Sequence, residues 1–233
     1  SRDHEQALER QWREESDEAA LHTLAAAHAR LVIAVATRYR NSTPWHAIHF
    51  FWGDERHVPP DHRDSNFRAA SEAMLDRVPV PPAHVHRILG ELPTAADAAA
   101  DYERKLRGEP ALGDAVLPVF DLVLLGMGPD GHTASLFPDS EALHECDRLV
   151  LAPWVEKFRS SRITLTLPVL NSAAMVVFLV AGVEKAEPLR AVLEGSHQPI
   201  RLPAQAVRPW KGHLLWFADA AAALKLSARG VGT

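Results

Sequence analysis

The sequence predicts an α/β protein: a doubly wound, mainly parallel sheet with helices on both faces. Three observations predict it. Short runs that are apolar on both faces, such as AMVVFLVA (174–181), alternate with helical segments, as buried parallel strands do. The chain has 233 residues and is 47% hydrophobic and 24% charged, which suits a single domain with a real core. Finally, two polar loops follow apolar strands, the place where open α/β sheets gather ligands.

Each element has its own signal. Residues 3–30 are rich in Ala, Glu, Gln and Arg, with Leu8, Trp12, Leu21 and Leu24 at roughly helical spacing, and read as a helix. LVIAVA (31–36) is short and β-branched and reads as a strand, with extension of the helix as the alternative. AIHFFW (47–52) is a buried strand that stops at Gly53. Residues 65–78 form a helix started by the Asp64 and Ser65 caps and ended by Pro79. PVPPAHVHRI is a proline-rich connection with a short strand at its end. Residues 94–106 form a threonine-capped amphipathic helix, FDLVLL (120–125) a strand, and a helix begins near Gly131. RITLTL (162–167) and AMVVFLVA are strands, 184–193 a helix, 213–217 the last strand and 219–226 a closing helix. No internal repeat or low-complexity tract interrupts the pattern.

Composition narrows the function. Net charge is −5, with arginines and acids interspersed, which argues against nucleic acid or an anionic membrane as partner and leaves small anionic substrates open. Cys146 is the only cysteine; it excludes an intramolecular disulfide and offers no metal-ligand pair. Its acidic neighbours Glu141, Glu145 and Asp147 would raise a thiol pKa, so it reads as a passive thiol. The N-terminal SRDHEQALERQ lacks an apolar signal core, and no window reaches the length of a membrane span. A cytoplasmic enzyme, monomeric or weakly dimeric, is the expectation.

The first polar loop is GMGPDGH, in which Gly126, Gly128 and Gly131 spell G-x-G-x-x-G after an apolar strand. A dinucleotide site also needs an acid at the end of the next strand, about twenty residues on. The next apolar run, RLVLAPW, ends in Ala152-Pro153 instead. The nucleotide reading is therefore weak. In the alternative, the glycines bring the backbone close to a ligand. Asp130 then caps the following helix, and His132 sits in that helix's first turn, where the dipole disfavours imidazolium. A neutral histidine there is a general base, with Asp130 orienting the ring or the attacking water. Backbone N–H groups of the glycine loop are candidate oxyanion donors. The second loop is GDER (53–56). Arg56 suits a phosphate or carboxylate, and Asp54 could bond sugar hydroxyls or position Arg56. His84-x-His86 would place two histidines on one strand face, but without a nearby third ligand the pair reads as ordinary surface.

GDERHVPPDHRDSNFR, FDLVLLGMGPDGHTASLFP and SRITLTLPVLNSA together resemble the 6-phosphogluconolactonase family, over most of the chain from about Trp45. Glucosamine-6-phosphate deaminases share the G-x-G-x-D-G-H core but continue differently from ASLFP. The resemblance implies a Rossmann-like fold similar to the deaminase fold. It also implies cofactor-independent hydrolysis of 6-phospho-D-glucono-1,5-lactone in the oxidative pentose phosphate pathway. It carries His132 over as catalytic base with Asp130 beside it, places Asp54 and Arg56 in the active site, and sends Arg162 and Lys185 to the substrate phosphate. No metal is implied. Alternatives are an amino-sugar-phosphate deaminase or isomerase, and a sugar-phosphate-binding domain without turnover. The last arises because residues 1–44 are atypical: family members carry a GG-[ST]-TP loop after their first strand, and here the only echo is Asn41-Ser42-Thr43-Pro44.

Overall fold

A computed structural model describes residues 33–113 and 115–227. The helix expected over 3–30 lies outside the described residues, as does the start of LVIAVA. Residues 33–38 are helical, so the strand expected there is corrected to its alternative. Thr37 shows why a β-branched residue fits, since its Oγ1 donates back to the Ile33 carbonyl at 2.8 Å. The chain then turns through 39–44 and a 3-10 turn, Trp45–Ala47, into β1 (Phe50–Phe51).

In chain order there follow β2 (Asp54–Arg56), α1 (Asn66–Ala73), β3 (Val85–His86), α2 (Ala95–Gly108), β4 (Val123–Leu125), β5 (Val150–Leu151), β6 (Trp154–Val155) and β7 (Ser160–Leu165). Then come α3 (Leu167–Ser172), β8 (Met175–Val180), α4 (Ala186–Glu194) and β9 (His213–Ala218). The parallel pairs are β1–β3, β4–β8 and β8–β9. A second sheet, which the sequence reading did not separate, is antiparallel: β7 pairs with β2, β5 and β6. No backbone ladder joins β1–β3 to β4–β8–β9 among the described residues.

The caps hold as expected at two helices. Ser65 accepts from the Arg68 N–H and Thr94 from the Asp97 N–H, each satisfying a donor that has no intrahelical partner. On α2, Ala95, Ala98, Ala99, Tyr102 and Leu106 are buried, the i, i+3, i+4 face of an amphipathic helix. Tyr102 is fully buried and its hydroxyl both accepts from the Trp52 N–H (2.8 Å) and donates to the Trp52 carbonyl (3.1 Å), pinning the end of β1 to α2. β8 is apolar on both faces because it lies between β4 and β9; Phe178, within it, stacks on Trp216 of β9 at 3.9 Å.

Two helix expectations fail. Nothing helical follows Gly131: residues 126–140 form turns, with Ala134 and Asp139 at positive φ and a bridge between Thr133 and Leu136. The closing segment holds only a 3-10 turn, Ala222–Lys225, begun where Asp219 accepts from the Ala222 N–H. RITLTL stops at Leu165, because Pro168 lies in the first turn of α3, a position that tolerates a missing N–H.

Candidate active site

β2 and β7 place the polar side chains. Their antiparallel register sets Asp54 opposite Thr164, Glu55 opposite Ile163 and Arg56 opposite Arg162. Alternation therefore sends Glu55 and Ile163 into the interior and leaves Asp54, Arg56, Arg162 and Thr164 on one face. Glu55 is buried, takes hydrogen bonds from the Arg56, Asn66 and Phe67 N–H groups and from the Ser65 hydroxyl, and so anchors the start of α1. Burial pushes its carboxyl up against those donors.

Two arginines stand directly across the strands, where like charges repel. Among the described residues neither has a carboxylate within ion-pair distance. Arg56 donates to the Asp64 carbonyl at 2.5 Å and Arg162 to the Ser161 carbonyl at 3.2 Å. Burial and then the Arg56 charge lower the Arg162 pKa. Such a pair is suited to an anion between the guanidinium groups. Asp54 does not neutralise Arg56. Its Oδ2 accepts from Ser135 at 2.7 Å and its Oδ1 from Asn66 at 3.3 Å, tying β2 to the loop after β4.

That loop carries Asp130 and His132. His132 is 8% exposed. Its Nδ1 lies 2.5 Å from Asp130 Oδ1, which also accepts the His132 backbone N–H at 3.3 Å. Asp130 thus grips the histidine instead of capping a helix, and the helix dipole expected to act on His132 is absent. Lys157 donates to Asp130 Oδ2 at 3.3 Å. Burial works to raise the Asp130 carboxyl, but the hydrogen bonds from His132 and the Lys157 charge outweigh it and hold the carboxyl well below the usual range. With Nδ1 engaged, Nε2 is the nitrogen left to exchange a proton with a ligand.

The glycines act differently from the expectation. The Gly128 N–H donates to the His132 carbonyl (2.8 Å) and the Gly131 N–H to the Gly128 carbonyl (3.1 Å). Both are thereby taken from the set of oxyanion donors. Their contribution is room: a Cβ on Gly128 would stand 2.1 Å from the His132 ring, and Gly131 sits at φ +78. Gly126 offers its carbonyl to the Thr133 hydroxyl at 2.8 Å, closing the loop.

Lys185 follows β8 at the end of a 3-10 turn and is half-buried. Burial lowers its pKa, while Glu184 and Asp130 attract its charge and Lys157 repels it, so it belongs to the same electrostatic neighbourhood. A cleft of about 830 Å³ opens on the Asp130 side of the pair, lined by Phe137, Trp154 and Lys157 among others. The reading of the sequence missed Lys157, Ser135 and the aromatic run that links the parts: His132 packs on Phe137, Phe137 on Phe158, and the Arg162 guanidinium on Phe158 at 5.0 Å. Ser135 stood inside the motif already singled out; Lys157 and Phe158 carried no spacing signal.

Comparison with known proteins bears on the family. The family described as glucosamine-6-phosphate isomerases/6-phosphogluconolactonase matches residues 19–216. A 6-phosphogluconolactonase of Nostoc sp. is 45% identical over 184 residues, covering 79% of this chain and 75% of the relative. The solved 6-phosphogluconolactonase of Thermotoga maritima is 34% identical and superimposes with a TM-score of 0.68 over 82% of this chain and 80% of that one. A monomeric glucosamine-6-phosphate deaminase, 19% identical with a TM-score of 0.68 over 85% of this chain and 82% of its own, shares the fold. From motif, fold and sequence together, this chain belongs to the glucosamine-6-phosphate isomerase/6-phosphogluconolactonase family.

Proposed function

We infer that this chain hydrolyses 6-phospho-D-glucono-1,5-lactone to 6-phospho-D-gluconate, a carboxylic ester hydrolysis of the oxidative pentose phosphate pathway. The carrying observation is the Asp130–His132 pair, held at 2.5 Å inside GMGPDGHTASLFP.

The geometry supports a mechanism. Asp130 fixes the ring through Nδ1 and stabilises the imidazolium, so Nε2 takes a proton from water as the oxygen attacks C1. The tetrahedral intermediate collapses with cleavage of the bond between C1 and the ring oxygen. The imidazolium returns its proton to that oxygen, giving the open-chain acid, which ionises. Arg56 and Arg162, facing each other and without a carboxylate in ion-pair distance among the described residues, bind the phosphate, and Lys185 adds charge from the β8 side. Fixing the phosphate holds C1 at the base and supplies orientation. Asp54, engaged by Ser135 and Asn66, keeps the arginine strand and the histidine loop in register. The Ser42 and Thr43 hydroxyls both donate to the Tyr39 carbonyl, so their protons are engaged within that turn.

The test is the rate of lactone hydrolysis above the spontaneous rate, for the wild type and for His132→Asn. Loss of about 10²-fold or more, with the fold intact, is expected. Near-normal turnover would remove His132 from the mechanism. Release of ammonia from glucosamine 6-phosphate without lactone hydrolysis would replace the reaction itself.

A further inference from the structure

Away from the two loops that build the site, three side chains from distant parts of the sequence converge. His49 immediately precedes β1, His86 lies on β3, and Glu109 follows the last turn of α2. One ligand atom from each lies within 4.8 Å of the other two. His49 Nδ1 and His86 Nε2 are 3.0 Å apart; Glu109 Oε1 is 3.7 Å from His49 Nδ1, and its Oε2 is 3.4 Å from His86 Nδ1.

Each of the three groups also has a contact outside the trio. His84 stacks on the His49 ring at 3.9 Å, and Phe51 stacks on the His86 ring at 4.4 Å. The Phe51–His86 register of the parallel pair fixes the second stack. Glu109 Oε1 accepts the Ala111 N–H at 3.2 Å, which sets the carboxylate. All three side chains keep some solvent access, at 25%, 12% and 18% exposure, so an ion can reach them.

We propose that His49, His86 and Glu109 form a binding site for a late first-row divalent cation of the zinc class, with water completing the coordination. Two imidazoles and one carboxylate are a borderline donor set that suits Zn²⁺ or Co²⁺ and not Mg²⁺ or Ca²⁺, which take oxygen ligands. In a tetrahedral zinc site, nitrogens at about 2.0–2.1 Å from the ion lie roughly 3.3 Å apart. The histidine nitrogens at 3.0 Å need to part by a few tenths of an ångström, and the two rings, with centroids 5.2 Å apart and planes 11° apart, need to tilt so that His49 Nδ1 and His86 Nε2 both aim at the ion. The ion replaces the hydrogen bond that now joins the two rings. Its position makes it a clamp: it ties the entry of β1 to β3 and to the exit of α2.

The experiment uses the full chain, stripped with a chelator and titrated with ZnCl₂ or CoCl₂. Calorimetry, the visible absorption of bound Co²⁺ and the thermal midpoint are the readouts. One equivalent bound is expected, with a rise in midpoint that follows metal concentration. His49→Gln, His86→Gln and Glu109→Gln should each weaken binding at least tenfold, and His132→Asn should leave it unchanged. Glu109→Gln carries the test should either histidine variant fail to fold. The proposal is overturned by a wild type that shows no saturable uptake, by binding that survives these substitutions, or by binding lost only in His132→Asn.

Discussion

Gly128→Ala tests the position of the His132 ring proposed as the base. The added Cβ would stand 2.1 Å from Cε1 and Nδ1 of His132 and 2.8 Å from Asp130 Oδ1. Ordinary contact begins at 3.4 Å, so the ring has to retreat by about 1.3 Å. It has little freedom to do so. Phe137 lies 4.3 Å away across one face, Asp130 holds Nδ1, and only 8% of the residue is exposed. A misplacement of roughly 1 Å costs about 10²-fold in rate, which is about 2.7 kcal/mol of transition-state stabilisation. The arginines are untouched, so KM should change little while kcat falls. Initial rates of acid release from the lactone, corrected for spontaneous hydrolysis, measure both constants, and thermal melting checks the fold. A folded Gly128→Ala enzyme within threefold of the wild-type kcat would refute the placement of His132 as the base.

Three further outcomes are expected. Asp130→Asn should lower kcat by one order of magnitude or more. The native Asp130 pKa is depressed, so its stabilisation is present above roughly pH 4 and is lost as pH falls through the folded value. The melting gap between wild type and Asp130→Asn should therefore close on acidification; a gap constant with pH would contradict a stabilising ionised Asp130. Arg162→Ala should raise KM about tenfold with kcat nearly intact, and should not destabilise, because removing one of two facing cations relieves on the order of 0.2–1 kcal/mol. An unchanged KM would sink the phosphate assignment. Tyr102→Phe should cost about 1–3 kcal/mol in urea unfolding, since both backbone groups of Trp52 lose their buried partner; a midpoint equal to wild type would show that water replaces the hydroxyl.

Much of this was legible in the residues because local chemistry decided it. Ser65 and Thr94 announce helix starts, the Ala95–Leu106 face of α2 has the 3.6 period, and the wholly apolar MVVFLV is a central parallel strand. Reading failed where a tertiary partner overrode the local signal. Asp130 looks like a cap, but the nearest donors are those of His132, and the loop turns back through Ala134 at φ 47 before any helix forms. The glycine N–H groups looked free because their acceptors lie within the same loop. Likewise, no spacing rule connects Lys157 to Asp130 or Glu109 to His86, since each pair meets only after the chain has folded. His84 and His86 attracted notice as a pair, yet the ring nearest His86 Nε2 is that of His49.

Among the described residues no ladder joins β1–β3 to β4–β8–β9, which has a consequence for how the protein opens. The antiparallel sheet that carries Arg56 and Arg162 belongs to neither ladder, and the Ser135–Asp54 hydrogen bond ties its β2 strand to the loop after β4. The β1–β3 pair can loosen while the three-stranded sheet stays closed. In hydrogen exchange, amides of Phe50 and Phe51 should trade with solvent well before those of Val176–Phe178.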